Sequence, residues 1–530
     1  MSVYLILILL GCWTLGIAPN VLSDMHSLQL NSYRTERYRR WQGQAPLRSF
    51  HISAFIACVP LLLGVFSLPL AGLIWGGFFI LLFVTRNQSP QKKPLVLTRR
   101  VWRLLAMQGL LVGIMGVTIW ALFAAGWREG VLLAALSVVG GLSPLLLCLS
   151  NTLMQPIEQR ISAYYYHDAQ RLLMSHRDLT LIGITGSYGK TSTKFMLQQC
   201  LSAQFTSLMT PDSFNTTLGV VRVIRERLRP IHEMFVVEMG ARQQGDIKEI
   251  CTLVKPSIGI ITAIGEQHLE TFHDVAAITR TKLELFASLD NDALAVYNAD
   301  DSVLCHAVKP TAPRYVTYGI DNPTAHYRCV ALQHSTKGTQ FRVVTPKGGV
   351  AEFHTRLLGR HNVYNLLAAI SVSVELGISL EKLIAPIASL QPVAHRLELR
   401  KNQAGVTILD NAFSSNPQGA KYSLEVLASL EGQRKIMITP GMVELGSREQ
   451  ELNKLFGEQA AKVCDYVILV GAKRAEPIQA GLLAAGYNPD NLYIAGDLQD
   501  GQSHLNALAR AGDVVLYEND LPDTYNEVNL

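Results

Sequence analysis

No two of the eight cysteines in this 530-residue chain form a C-x-x-C pair. Cys12, Cys58, Cys148, Cys200, Cys251, Cys305, Cys329 and Cys464 are scattered, which argues against a zinc ribbon or a disulfide framework and predicts reduced, mostly buried thiols. Charge is absent from the long apolar runs, nearly all of which lie before about residue 150, and that argues against an ion or proton pathway through them. No basic residue precedes the first run, so an uncleaved anchor is expected there and not a cleaved signal peptide. The formal net charge of +5 identifies no ligand until it is located, and nothing in the chain points to nucleic acid.

The apolar runs are 4–21, 52–84, 104–127 and 131–149. The second is too long for one span and is interrupted at Ser67-Leu68-Pro69. Arg34, Arg37, Arg39, Arg40 and Arg48 precede it, and Arg86, Lys92, Lys93, Arg99, Arg100 and Arg103 follow it. If positive loops stay on the cytoplasmic side, the two loops require an even number of crossings between them. The expectation is therefore a membrane domain over residues 1–150 with about five spans, the N-terminus outside and all later residues in the cytoplasm. Residues 151–178, with Arg160, Tyr164, Tyr165, Tyr166, Arg171 and Arg177, are expected to form an amphipathic linker helix at the bilayer surface.

From residue 179 the pattern becomes α/β. A short apolar strand leads into Thr185-Gly186-Ser187-Tyr188-Gly189-Lys190-Thr191-Ser192 and then a helical run. Strand, glycine loop and helix form a phosphate cradle: backbone N–H groups approach the oxyanions, Lys190 reaches the outer phosphates, and the Thr191 hydroxyl can hold Mg²⁺. Ile184 stands where a general Walker A loop has glycine. Glu238 closes a second apolar strand, a good position for a carboxylate facing a cation beside bound phosphates.

This loop resembles the T-G-x-x-G-K-[ST] loop of the Mur ligases, which lack the first glycine. The resemblance continues in order to about residue 515 and is strongest to the MurF branch, whose members add D-alanyl-D-alanine in peptidoglycan synthesis. It implies a P-loop ATP-binding domain over 179–393 and a Rossmann-like α/β domain over 394–530. It also implies that Asn215 and Thr216 lie near phosphates and acceptor, and that Glu238 and His268 are Mg²⁺ ligands. Lys282, fourteen positions after His268, matches the family's carbamylated lysine, a carboxylate-like metal ligand. Asn365 would face adenine and Arg396 would contact nucleotide from the domain junction, while Asp410 and Asn416 match the start of the C-terminal domain, Asp410 as an ATP contact and Asn416 as a substrate contact. Phe413 and Ser414 depart from the family's D-D-S-Y-N-A-N-P, and Glu518-Asn519-Asp520 replaces its usual K-G-S.

The resulting expectation is a multi-pass inner-membrane, ATP- and Mg²⁺-dependent ligase with its catalytic domains in the cytoplasm. It would activate a carboxylate as an acyl phosphate and join it to an amino acid, peptide or other amine in cell-envelope synthesis. Its acceptor would be membrane-linked and presented at the bilayer. The other readings are an orthodox ligase of UDP-muramoyl tripeptide and D-alanyl-D-alanine, a polyglutamate or exopolysaccharide-modifying ligase, and a catalytically silent scaffold. Oligomeric state is not legible.

Overall fold

The computed structural model describes residues 3–43, 54, 56, 68–84, 94–124, 129–211, 214–267, 269–308, 314–335, 338–413 and 415–520. The chain divides into two compact units, with the boundary between Ala163 and Tyr164.

The N-terminal unit is helical. Val3–Leu30 packs on Leu68–Val84 through small residues: a Cβ on Gly16 would lie 2.7 Å from the Phe79 carbonyl, and one on Gly76 would lie 2.8 Å from Leu9. Leu9, Trp13, Ile17, Trp75, Phe79 and Leu136 form the core of this contact. The Trp75 indole donates to Ser137 Oγ at 2.7 Å, and Arg103 holds Glu158 with two bonds of 2.7 and 2.8 Å.

The expected five spans are not reproduced. Among the described residues, only Leu7–Leu30 and Arg99–Ala121 are long and apolar enough to cross a membrane, and Leu70–Val84 is shorter. The run expected as a last straight span is bent by 65° between Leu133–Gly141 and Ser143–Ser175, so a third span arises only if this pair counts as one. Gly140 and Gly141 weaken the helix there, and Pro144 lacks the N–H that would continue it. Most of the first half of the expected hairpin, with Arg48, Arg86, Lys92 and Lys93, lies outside the described residues.

The second unit holds two α/β domains. The first is a nine-stranded sheet of β1 (Thr180–Thr185), β2 (Ser207–Met209), β3 (Met234–Glu238), β4 (Ile258–Ile261), β5 (Leu294–Asn298), β6 (Arg314–Gly319), β7 (Tyr327–Ser335), β8 (Gly338–Val344) and β9 (Val350–Thr355). Their order is β2-β3-β1-β4-β5-β6-β7-β8-β9, parallel through β7 and antiparallel beyond. Both faces of its parallel part are covered, as its continuous apolar strands require. Ile182, Ile184 and Val236 face helices Lys190–Leu201 and Arg360–Glu375, while Phe235, Val237 and Tyr297 face Thr217–Arg227, Asp246–Val254 and Val275–Ala287. β3 and β4 flank β1 on opposite sides, so the loop after β1 emerges where the strand order reverses, the usual ligand crevice of such sheets.

The second domain is a six-stranded sheet of β10 (Glu398–Lys401), β11 (Thr407–Asn411), β12 (Lys435–Thr439), β13 (Tyr466–Val470), β14 (Leu492–Ala495) and β15 (Val514–Glu518). The order is β10-β11-β15-β12-β13-β14, parallel except for the β10–β11 pair.

The tyrosine-bearing segment expected at a bilayer surface packs on protein instead. Tyr165, Tyr166, Ala169 and Leu173 join the core around Thr217–Arg227, Asp168 pairs with Arg225 at 2.7 Å, and the Arg225 guanidinium lies 4.2 Å from the Tyr165 ring centroid.

Candidate active site

The loop after β1 closes over two glycines whose side-chain space is already taken. Gly186 has φ +148°, and a Cβ there would lie 2.1 Å from Thr262 Oγ1; Gly189 has φ +78°, and its Cβ would lie 2.4 Å from Asn365 Oδ1. Backbone bonds and side chains fix the curve. Ser187 N donates to the Ala263 carbonyl at 2.7 Å, and Ser187 Oγ donates to the Gly265 carbonyl at 3.0 Å. The Tyr188 hydroxyl donates to the Glu266 carbonyl at 3.0 Å, and the Thr262 hydroxyl donates to the Tyr188 carbonyl. Thr185 Oγ1 donates to the Met239 carbonyl at 2.9 Å, which ties the loop's base to the end of β3.

Lys190 opens the following helix and folds back on its own loop, donating to the carbonyls of Gly186 and Ser187 at 2.6 and 3.1 Å. Burial lowers its pKa to about 8, with Arg396 acting in the same direction and Glu238 opposing it.

Glu238 is the hub. It ends β3 and is 1% exposed. Its Oε1 accepts from the Thr191 hydroxyl and from Asn215 Nδ2, each at 3.2 Å, and its Oε2 accepts from Lys194 Nζ at 3.0 Å. Lys194 is a member of this cluster that the motif reading missed. The available signal was its spacing: it follows Lys190 by four positions and so shares a helix face with it. Thr193 Oγ1 donates to Asn365 Oδ1 at 3.1 Å, which joins the loop helix to helix Arg360–Glu375.

Arg396 arrives from the junction between the two α/β domains. Its Nη2 donates to Thr191 Oγ1 at 3.4 Å, and its guanidinium carbon lies 4.4 Å from the Phe413 ring centroid. Burial lowers its pKa, while Glu238 acts in the opposite direction. The residues on either side, His395 and Leu397, have φ values of +59° and +50°, so the junction backbone is left-handed around this arginine. A second link between the domains is the ion pair of Glu266 with Arg448.

A cavity of about 140 Å³ runs from the loop toward the C-terminal domain, with Tyr188, Ser192, Asn365, Arg396, Asn416 and Tyr422 among its walls. The site thus brings together the loop from Thr185 to Ser192 with Asn215, Glu238, Asn365 and Arg396, and Asn416 stands on the cavity's far wall. Asn416 also caps helix Pro417–Ser429, accepting from Gly419 N at 2.8 Å. Thr216 acts as a helix cap, with its hydroxyl accepting from Gly219 N at 3.3 Å. Asp410 bonds to His395 Nδ1 at 2.9 Å and to Ala412 N at 3.1 Å, within its own domain, and does not line the cavity. His268 and Ser414 lie outside the described residues.

Lys282 is 3% exposed, and its side chain makes no hydrogen bond or ion pair among the described residues. Burial holds its pKa well below the usual lysine range, with Lys190 adding to the effect and Asp246 and Glu284 opposing it. The two acids are engaged elsewhere. Glu284 accepts from Gly245 N and Lys248 N at 2.7 and 3.0 Å, and Asp246 accepts from Arg242 N and Gln243 N at 2.8 and 3.1 Å.

Where the sequence departs from the expected C-terminal motifs, the replacements form a network of their own. Buried Glu518 accepts from Asn411 Nδ2 at 3.0 Å and from the Ser415 hydroxyl, and Asn519 Oδ1 accepts from Ser415 N at 3.1 Å.

The Mur ligase middle domain family matches residues 184–373, and the Mur ligase glutamate ligase domain family matches residues 395–517. Three similar chains are UDP-N-acetylmuramoyl-tripeptide–D-alanyl-D-alanine ligases. Identity to that of Bacillus subtilis is 33%, covering 52% of this chain and 59% of the relative; to that of Escherichia coli it is 31%, covering 55% and 64%. This chain therefore spans less than two thirds of the length of either relative. Identity to the Mycobacterium tuberculosis (strain ATCC 25618 / H37Rv) ligase is 30%, covering 64% of this chain and 70% of that one. Among solved structures, MurF from Acinetobacter baumannii aligns with TM-score 0.62 at 23% identity, over 69% of this chain and 79% of that one. MurF ligase from Thermotoga maritima in complex with ADP aligns with TM-score 0.62 at 25% identity, over 69% and 82%.

These likenesses overturn the multi-pass inner-membrane placement expected from the sequence. The related chains and solved folds are MurF ligases, and the N-terminal helices are candidate spans by length and composition alone. With both α/β domains matched in order and the mycobacterial relative covered over more than two thirds of its length, the chain belongs to the Mur ligase family.

Proposed function

We propose that this chain is an ATP-dependent amide-forming ligase of the MurF type, joining the terminal carboxylate of UDP-N-acetylmuramoyl-tripeptide to the amine of D-alanyl-D-alanine. The observation that carries the reading is the convergence on Glu238. A strand-end carboxylate, the phosphate-loop Thr191 and an arginine from the domain junction meet within hydrogen-bond distances. The relatives' names supply the substrate pair, so the acceptor read here is a nucleotide-sugar peptide in place of the membrane-linked one expected from sequence.

The loop's glycines let backbone N–H groups approach phosphate oxygens, and Lys190 can turn from its own loop carbonyls to the outer phosphates. Thr191 Oγ1 and Glu238 Oε1 are adjacent oxygens of the type Mg²⁺ prefers, so the residues present fit that ion. When bound, Mg²⁺ would offset phosphate charge. Arg396 supplies a fixed cation from the domain junction, where it can stabilise charge on the transferring phosphoryl group. The buried Lys282 amine, without a partner among the described residues, suits modification by CO₂ to the carbamate that the family resemblance implies.

The reaction balances as two displacements. A carboxylate oxygen of the acceptor forms a bond to the γ-phosphorus as the bond to ADP breaks. The amine nitrogen then forms a bond to the acyl carbon, phosphate leaves with the acyl C–O bond, and the nitrogen loses a proton. The test supplies the full chain with ATP, UDP-N-acetylmuramoyl-tripeptide and D-alanyl-D-alanine. Sustained release of ADP and phosphate over many turnovers should require both partners. Release of AMP, or turnover indifferent to both partners, rejects the reading.

A further inference from the structure

We infer that Lys194 is a positioning residue that makes cation binding at Glu238 conditional on bound nucleotide. This rests on the proposed reading of Glu238 as the metal-facing carboxylate. Lys194 Nζ lies 3.0 Å from Glu238 Oε2, and the two side chains are 0% and 1% exposed. Such an ammonium cannot turn to water, and a carboxylate buried to that degree without a counter-ion is strongly disfavoured. Lys190 has the phosphate-facing place and bonds to loop carbonyls, so the two lysines of this helix have separate tasks.

Two consequences follow from the geometry. Lys194 commits Oε2, so the oxygen left to face a cation is Oε1, which among the described residues is held by the neutral Thr191 hydroxyl and Asn215 amide. Those two groups can reorient at small cost, and Thr191 can itself become a ligand.

The second consequence is electrostatic. Lys194 cancels the Glu238 charge, and Lys190 and Arg396 also stand within electrostatic reach of that carboxylate. Among the described residues, no group of three or more His, Cys, Asp and Glu could hold a metal ion. A divalent cation approaching the nucleotide-free site therefore meets more positive charge than negative. Phosphate oxygens reverse that balance, so metal and nucleotide are retained together.

The test titrates MgCl₂ into the full chain by calorimetry, with and without saturating ADP, for wild type, Lys194→Met and Lys194→Arg. Wild type should show saturable Mg²⁺ binding only with ADP, and Lys194→Arg, which keeps the charge, should match it. Removing one unit charge at this distance should let Lys194→Met bind Mg²⁺ without ADP at least about tenfold more tightly than wild type does. Lys194→Met/Glu238→Gln, which removes both charges, should lose that gain. Wild type binding Mg²⁺ equally with and without ADP overturns the inference, as does a folded Lys194→Met that gains nothing. If thermal unfolding shows that Lys194→Met does not fold, the wild-type comparison with and without ADP decides. Absence of any ADP binding would count against the ATP-dependent function, while the nucleotide-free comparison of wild type with Lys194→Met would still test Lys194.

Discussion

Arg396 Nη2 lies 3.4 Å from Thr191 Oγ1, joining residues 205 positions apart in the chain. The contact places a guanidinium from the domain junction on the phosphate loop, and the Phe413 ring 4.4 Å away packs against it. Arg396→Ala should lower kcat by roughly 10²- to 10³-fold, the range seen when one fixed donor to a charged transition state is removed. Arg396→Lys should recover part of that loss, because a point charge replaces the forked donor. Steady-state kinetics with varied ATP checks this, and an unchanged kcat in Arg396→Ala removes the residue from the reaction.

Gly189 is tested by adding one methyl group. A Cβ would lie 2.4 Å from Asn365 Oδ1, in a backbone with φ +78°. Gly189→Ala should cost about 1 to 3 kcal/mol through the left-handed backbone alone, and more through the contact. Adding Asn365→Ala should relieve only the steric part. Thermal unfolding separates the two, and a Gly189→Ala variant as stable as wild type would show that the loop can relax.

The strand, glycine loop and helix around Lys190 were legible because their signal is local: an apolar strand, glycines and Lys190-Thr191 at the start of a helix. Glu238 was legible for the same reason, as the acid that ends an apolar strand. Lys194 was not, because a lysine within a helix reads as solvated until the facing strand places a carboxylate beside it. The Thr193–Asn365 bond and the Arg396–Thr191 contact depend on tertiary closure, which no spacing encodes. Tyr165 and Tyr166 were misread for a physical reason. An amphipathic helix has the same composition whether its apolar face meets lipid or protein, and here it meets the core beside Thr217–Arg227.

Lys282→Ala should be inactive, and formate or acetate should restore part of the turnover by placing a small carboxylate where the proposed carbamate would stand. Lys282→Gln should not respond, since its longer neutral side chain fills the space. Turnover measured against added formate checks this. Full activity of Lys282→Ala without additive would show that the position needs neither charge nor ligand.

The pair Arg434–Asp513 tests the C-terminal domain away from the site. Asp513 is fully buried, and Arg434 holds it with bonds of 2.6 and 3.2 Å. Burial alone would raise the Asp513 pKa, but the bonds from Arg434 and from Arg510 N outweigh it, so the net shift is downward. The sign follows from linkage. A carboxyl whose folded pKa is depressed adds stability that is fully present above its unfolded value of about 3.9 and is lost as pH falls through the lower folded value. Wild type should therefore lose this contribution only in acid, below about pH 4, whereas Asp513→Asn should lack it at all pH values. Arg434→Met should be the more damaging change at neutral pH, by about 1 to 3 kcal/mol, because it leaves a buried carboxylate short of its donors. It should also lose less on acidification than wild type, since protonation then relieves the unpaired charge. Unfolding midpoints of the three proteins between pH 3 and 7 decide the matter, and parallel curves for all three would show that Asp513 carries no proton-linked stability.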